Sequence, residues 1–271
     1  MLVYKDDSNH AVFLKTLHEE CANHHQSGST ALAEWLFDNG VCHPQVFEGE
    51  LEHYRKEVQF FDQKHRYEQG MEFYAKRYQQ CSRSSFVMDA TPNTLPFPER
   101  VESVYRAAGG DRIKDLKIIV VLREPVSREL CMYNHKVYEY SQTRNQTQWY
   151  SDVSREDGSV MGFDEFTSVV MDGINYENPW GLADMGLYAQ HLRKWLEFVN
   201  RNQILAVRYD ELKQHPETVQ RRVRAFLGSD FPGSISISNN NENKAKVALP
   251  SCYAQERLNS VFEPMNRALY Q

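Results

Sequence analysis

The stretch QSGSTAL (26–32) places a glycine and two hydroxyl residues where a loop opens a helix, and those residue types suit an anion. Backbone N–H groups at a helix start point outward and the helix dipole favours negative charge. Gly28 lets the backbone come close to a phosphate, while Ser29 and Thr30 add hydroxyl donors. The same residues also make an ordinary Ser/Thr N-cap, so the stretch alone does not decide between the two. No lysine stands beside the hydroxyls as a Walker loop requires, and a magnesium-dependent P-loop kinase is not indicated. A second pair, Lys56 and Glu57, precedes Phe60, Phe61 and Asp62. A carboxylate against an apolar wall suits general-base work, and a solvated charge pair is the plainer alternative. Third, Arg123 follows the apolar run LKIIVVL (116–122), at the strand edge where open α/β sheets bind ligands. There its guanidinium can fork onto a phosphate or pair with Glu124 or Glu129. His18, Cys21, His24 and His25 match no closed structural zinc set.

These groups need elements to hold them. Ala31, Leu32, Trp35 and Leu36 recur at helical spacing and Gly40 supplies a stop, predicting a helix over 29–39. The segment 54–61 (YRKEVQFF) suits a short strand, and 71–80 a helix. The runs 85–88 and 116–122 predict strands, the second of them buried and parallel, with a helix over 98–108 between them. That order implies a right-handed crossover. A helix over 126–140 follows, then a polar, aromatic-rich stretch, 141–162, which reads as a long loop and the best place for acceptor contact. Further on, 187–199 and 218–227 predict helices, the latter closed by Gly228, with a strand over 203–208 between them. Residues 229–247 read as loop and 252–270 as a helix broken near Pro264. The alternation predicts an α/β fold, a single domain with a mainly parallel central sheet flanked by helices.

With 271 residues and 41% hydrophobic content, the chain can bury a large core. A formal net charge of -6 argues against a general nucleic-acid binder, so any basic site is local. No apolar run reaches the roughly 18 residues of a membrane span and the first ten residues hold no signal-peptide core, so the chain reads as soluble. Cys21, Cys42, Cys81, Cys131 and Cys252 are scattered without a CxxC pair, signalling neither a disulfide framework nor a zinc knuckle.

In order, QSGSTAL, KE-x-x-FF-D, DATP (89–92) and a buried strand ending REPVSR (123–128) resemble the sulfotransferase superfamily. The likeness is to its carbohydrate, heparan-sulfate-like branch and to related bacterial and algal members. His43 and Pro44, GLYAQHLRKWLEF (186–198), QILAVRYDEL (203–212), FLG (226–228) and FEPMNRALY (262–270) extend it. The resemblance implies a P-loop-like sulfotransferase domain over 26–271, with 1–25 poorly matched. It also implies sulfuryl transfer from 3′-phosphoadenosine 5′-phosphosulfate (PAPS), without a metal, to a hydroxyl or amine of a carbohydrate-like acceptor.

Residue by residue, the resemblance has Gln26, Ser27, Gly28, Ser29, Thr30 and Ala31 around the 5′-phosphosulfate, and Arg123 on the 3′-phosphate. Glu57 is then the base and Lys56 neighbours the transferred group, while Asn243, Lys244 and Lys246 form a basic loop over the nucleotide. Departures matter here. The family has lysine where this chain has Gln26, a role His24 or His25 can take if protonated. Cys131 stands where the family has a serine against the 3′-phosphate, and Ala90 where glycan-modifying relatives often carry lysine. The strand that the family places before the loop has one candidate, AVFLKTL (11–17), which also suits a helix. Because of these departures a catalytically impaired protein, binding nucleotide or a partner without turnover, is the alternative. For compartment, the resemblance points to the Golgi lumen.

Overall fold

The computed structural model describes residues 10–16, 28–50, 55–81, 86–108, 112–146, 150–172, 186–236 and 250–270. In chain order the elements are β1 (His10–Thr16), α1 (Gly28–Asp38), α2 (Lys64–Tyr67), α3 (Gly70–Lys76), β2 (Phe86–Asp89), α4 (Pro98–Ala107), β3 (Lys117–Leu122) and α5 (Pro125–Thr143). After these come α6 (Phe163–Asp172), α7 (Tyr188–Trp195), β4 (Ile204–Arg208), α8 (Tyr209–Gln214), α9 (Pro216–Leu227) and α10 (Cys252–Asn266). Described residues within 1–17, 28–122 and 191–237 make one compact unit, and those within 123–190 and 238–271 another.

The first unit carries a sheet in the order β2-β1-β3-β4, and every pairing in it is parallel. In β3 the side chains of Ile118, Ile119, Val120 and Val121 are all buried, as a parallel strand covered on both faces demands. The stretch for which a helix was also open is therefore β1, an inner strand between β2 and β3. Two long-range pairings outweigh its weak local preference, and the sheet so begins before the boundary expected at Gln26. Helix α1 lays Leu32 and Leu36, each 0% exposed, into a core shared with Val219 and Val223 of α9. Burial on that scale is worth about 2 kcal/mol per leucine. Gly40 (φ 88°) follows α1 and Gly228 (φ 66°) caps α9, both in the left-handed region that glycine tolerates.

Two expectations fail in this unit. Among the described residues, 55–61 form no strand. Gln59 has φ 53°, which breaks the pleat, and the amides of Val58 and Gln59 bond to side chains instead of a ladder. Nor are the cysteines all isolated: Cys42 and Cys81 are joined in a disulfide across 39 residues of sequence. Cys42 lies on the outer edge of β2, where its N–H donates to the Phe86 carbonyl (2.9 Å) and its carbonyl accepts from Met88 (3.0 Å). The bond ties the chain leaving α1 to the turn entering β2, a proximity that sequence spacing does not display.

The second unit packs α5, α6 and α10 around Tyr133, Tyr140, Phe163, Phe166, Leu258 and Phe262. The loop expected over 141–162 is shorter and largely packed. Helix α5 runs on to Thr143, and Tyr150, Val153 and Met161 enter the core. Apolar side chains spaced without helical or strand period are what hid this from the sequence. Helix α10 continues past Pro264 to Asn266. No described helix is long and apolar enough to cross a membrane.

Candidate active site

In the first unit, α1 begins at Gly28, so its first turn, where a helix presents N–H groups to an anion, coincides with the predicted anion site. Ser29 is buried, and Thr30 is half-buried. The Lys56 ammonium lies 3.1 Å from the Thr30 Oγ1 and 2.8 Å from the Glu57 Oε1. Lys56 and Glu57 are 15% and 8% exposed at their side chains, so the pair is not the solvated surface couple of the plainer reading. One cation thus links the helix start to the candidate base. Charges held this far from water interact more strongly than surface pairs.

The backbone around Glu57 is fixed from several sides. Ala90 N–H donates to the Lys56 carbonyl (2.9 Å), and Arg66 Nη1 donates to the Val58 carbonyl (2.9 Å). Arg100 Nη1 donates to the Phe61 carbonyl (2.6 Å). Phe60 and Phe61 are buried against Tyr74, with ring centroids 4.9 and 5.1 Å away. These rings form a buried aromatic cluster three and four residues beyond Glu57, packed in edge-on and tilted pairs.

Asp62 and Asp89 lie in the same buried region. Burial pushes the Asp62 carboxyl up to about 7, with the charges of Asp89 and Glu57 adding to the shift. Asp89 is raised to about 6 by burial, against hydrogen bonds from Thr91, Val58 and Tyr74. Sequence reading placed Asp62 and the DATP motif but assigned neither a role; an Asp and a Thr two residues apart at a strand end is the signal, since both side chains readily bond nearby backbone.

In the second unit, Arg123 is the first residue past β3; its carbonyl accepts from the Tyr188 hydroxyl (2.8 Å). Glu124 caps α5, accepting from the N–H groups of Val126 (2.8 Å) and Ser127 (2.7 Å). Glu129 is buried in an ion pair with Arg128. Among the described residues neither carboxylate forms an ion pair with Arg123. Cys131 corrects an expectation: it is 3% exposed and disulfide-bonded, so it has no thiol proton to offer a phosphate. Gln26, Ser27, Asn243, Lys244 and Lys246, like His24 and His25, lie outside the described residues. The geometry therefore brings together Gly28, Ser29, Thr30, Ala31, Lys56 and Glu57. No group of three or more His, Cys, Asp or Glu among the described residues is arranged to hold a metal ion.

Such a site can bind an anion at the helix start, place a cation against it and accept a proton beside it. Comparison with known proteins gives the family and the fold. The family model described as a sulfotransferase domain matches residues 24–245. Mouse heparan sulfate glucosamine 3-O-sulfotransferase 3B1 is 28% identical over 206 residues, covering 75% of this chain and 44% of that protein. Mouse bifunctional heparan sulfate N-deacetylase/N-sulfotransferase 3 is 26% identical over 216 residues, covering 75% of this chain and 21% of that protein. The chain thus spans less than half the length of either relative. In fold it is similar to a sulfotransferase from Alicyclobacillus acidocaldarius, with TM-score 0.62, 21% identity and coverage of 95% of this chain and 93% of that one. A mouse sulfotransferase solved with PAP gives TM-score 0.50 at 14% identity, over 97% and 86% of the two chains.

Proposed function

The chain belongs to the sulfotransferase domain family, and on that premise we propose that it moves a sulfuryl group from PAPS to a hydroxyl or amine of a carbohydrate-like acceptor. One observation carries the reading: the Lys56 ammonium within 3.1 Å of Thr30 at the start of α1 and 2.8 Å from Glu57. Gln26, Ser27, Gly28, Ser29, Thr30 and Ala31 cradle the 5′-phosphosulfate, where outward N–H groups and the helix dipole favour its charge. By the family resemblance, Arg123 takes the 3′-phosphate, and Lys244 and Lys246 belong to the basic loop over the nucleotide. The named heparan sulfate relatives support a carbohydrate acceptor.

The chemistry balances without a metal. Glu57 takes the proton of the acceptor O–H or N–H as that atom bonds to sulfur. The bond from sulfur to the bridging phosphate oxygen breaks, and 3′-phosphoadenosine 5′-phosphate (PAP) leaves with the electron pair. Charge grows on that bridging oxygen, and preorganised donors aimed there are the main catalytic lever. Lys56 brings a full positive charge to this end of the site, where the loop itself carries Gln26. The Cys42–Cys81 bond supports an oxidising compartment such as the Golgi lumen.

A second reading, nucleotide binding without turnover, draws on Gln26 and on the disulfide-bonded Cys131. Calorimetry with PAP and transfer of radiolabelled sulfuryl groups from PAPS to a glycan panel separate the two. Under the transfer reading the wild type labels at least one glycan, and Glu57→Gln loses roughly 10²–10⁴ in kcat with PAP affinity kept. Tight PAP binding with no labelled product selects the binding reading. A fully active Glu57→Gln overturns the role of Glu57.

A further inference from the structure

The geometry assigns to Asp89 and Thr91 a positioning role: together they brace the backbone that aims Lys56 and Glu57. This rests on the transfer reading above. Asp89 is the last residue of β2, and it and Thr91 are each 2% exposed. The Asp89 Oδ1 accepts from the N–H of Thr91 (3.0 Å), the hydroxyl of Thr91 (2.6 Å) and the N–H of Val58 (3.4 Å). Its Oδ2 accepts from the Tyr74 hydroxyl (3.2 Å). Having given its proton to Asp89, the Thr91 oxygen accepts from the N–H of Gln59 (2.9 Å). Between the two, Ala90 N–H donates to the Lys56 carbonyl (2.9 Å). Three consecutive residues at one strand tip therefore hold backbone groups of Lys56, Val58 and Gln59, on both sides of Glu57.

Two features say that this brace does more than finish a strand. Gln59 stands at φ 53°, a conformation that a non-glycine residue keeps only when its surroundings over-determine it. Here the bond from its N–H to Thr91 is one such constraint, and another is the contact of its side-chain oxygen with Gln63 Nε2 (2.5 Å). Burying a carboxylate is also a costly way to end a strand, and every acceptor site of Asp89 described above is spent on this one segment or on the groups that steady it. Misplacing a reacting group by about 1 Å can lower a rate on the order of 10²-fold, so a backbone jig at Glu57 acts on turnover.

Thr91→Val keeps the shape and removes the hydroxyl that links Asp89 to Gln59. Its kcat is expected to fall roughly 10- to 100-fold, with PAP affinity within about twofold of wild type, because α1 and its first turn are untouched. Thr91→Ser restores the hydroxyl and is expected to recover kcat to within about threefold, the methyl group alone being lost. Amide hydrogen exchange reads the brace without any catalysis: Val58 and Gln59 exchange faster in Thr91→Val than in the wild type or Thr91→Ser. Unchanged exchange at these two amides overturns the brace, as does a serine variant that behaves like the valine one. Faster exchange in a wild-type background that transfers no sulfuryl group leaves the brace standing and sinks the transfer reading instead. Faster exchange with wild-type kcat in an active enzyme overturns the positioning role.

Discussion

Replacing Asp62 by Asn should stabilise the protein at alkaline pH and do so progressively as pH rises. Asp62 is 2% exposed, its Oδ1 has no hydrogen-bond partner, and the charges of Asp89 and Glu57 bear on it. Its carboxyl is raised from 3.8 to about 7. The folded protein therefore binds this proton more tightly than the unfolded chain does. The resulting stabilisation is complete below about pH 4 and is lost as pH rises through about 7. A shift of roughly three units is worth about 4 kcal/mol, of which about 3 kcal/mol falls between pH 5 and pH 8. Asparagine does not titrate, so its offset from aspartate in packing and hydrogen bonding is the same at both pH values. Urea unfolding of the wild type and Asp62→Asn, disulfides intact, measures the difference. The variant should gain about 3 kcal/mol relative to the wild type between pH 5 and pH 8. Curves that stay parallel over that range refute the buried, repelled carboxylate.

Opening the Cys42–Cys81 bond, by Cys42→Ser with Cys81→Ser, frees a loop closed across 39 residues. It should cost about 4 kcal/mol of stability in urea unfolding. A methyl group at Gly186 would stand 2.4 Å from Cε1 of the buried Phe262. Gly186→Ala should therefore lower stability by about 1–3 kcal/mol, read as a lower unfolding midpoint. Gln26→Lys puts a positive charge in the phosphosulfate loop, beside that of Lys56, and should raise kcat roughly 10²-fold in the labelled-sulfuryl assay.

Local signals account for what could be read beforehand. The apolar, β-branched run of β3 announces a buried parallel strand, and Gly40 and Gly228 mark the ends of α1 and α9 because they supply positive φ. The helix start at Gly28 was equally visible. What stayed hidden depends on partners far away in sequence. β1 is a strand through its pairing with β2 and β3, whose nearer partner residues lie 76 positions downstream (His10 with Phe86), not through its own composition. The segment around Glu57 resembles a strand until the side chains of Asp89 and Thr91 take the place of a neighbouring strand. The disulfides are invisible for the same reason, and with them goes the thiol that Cys131 was expected to offer. At the site, Lys56 and Glu57 were nameable from motif order alone. Their meeting with Thr30 required the fold.

The most direct test is a crystal structure of the protein with PAP bound. The 5′-phosphate is expected within hydrogen-bonding distance of the N–H groups of the first turn of α1 and of the Lys56 ammonium, with the Glu57 carboxylate facing the position the sulfuryl group would occupy. A nucleotide seated elsewhere, with Thr30 and Lys56 untouched, contradicts it.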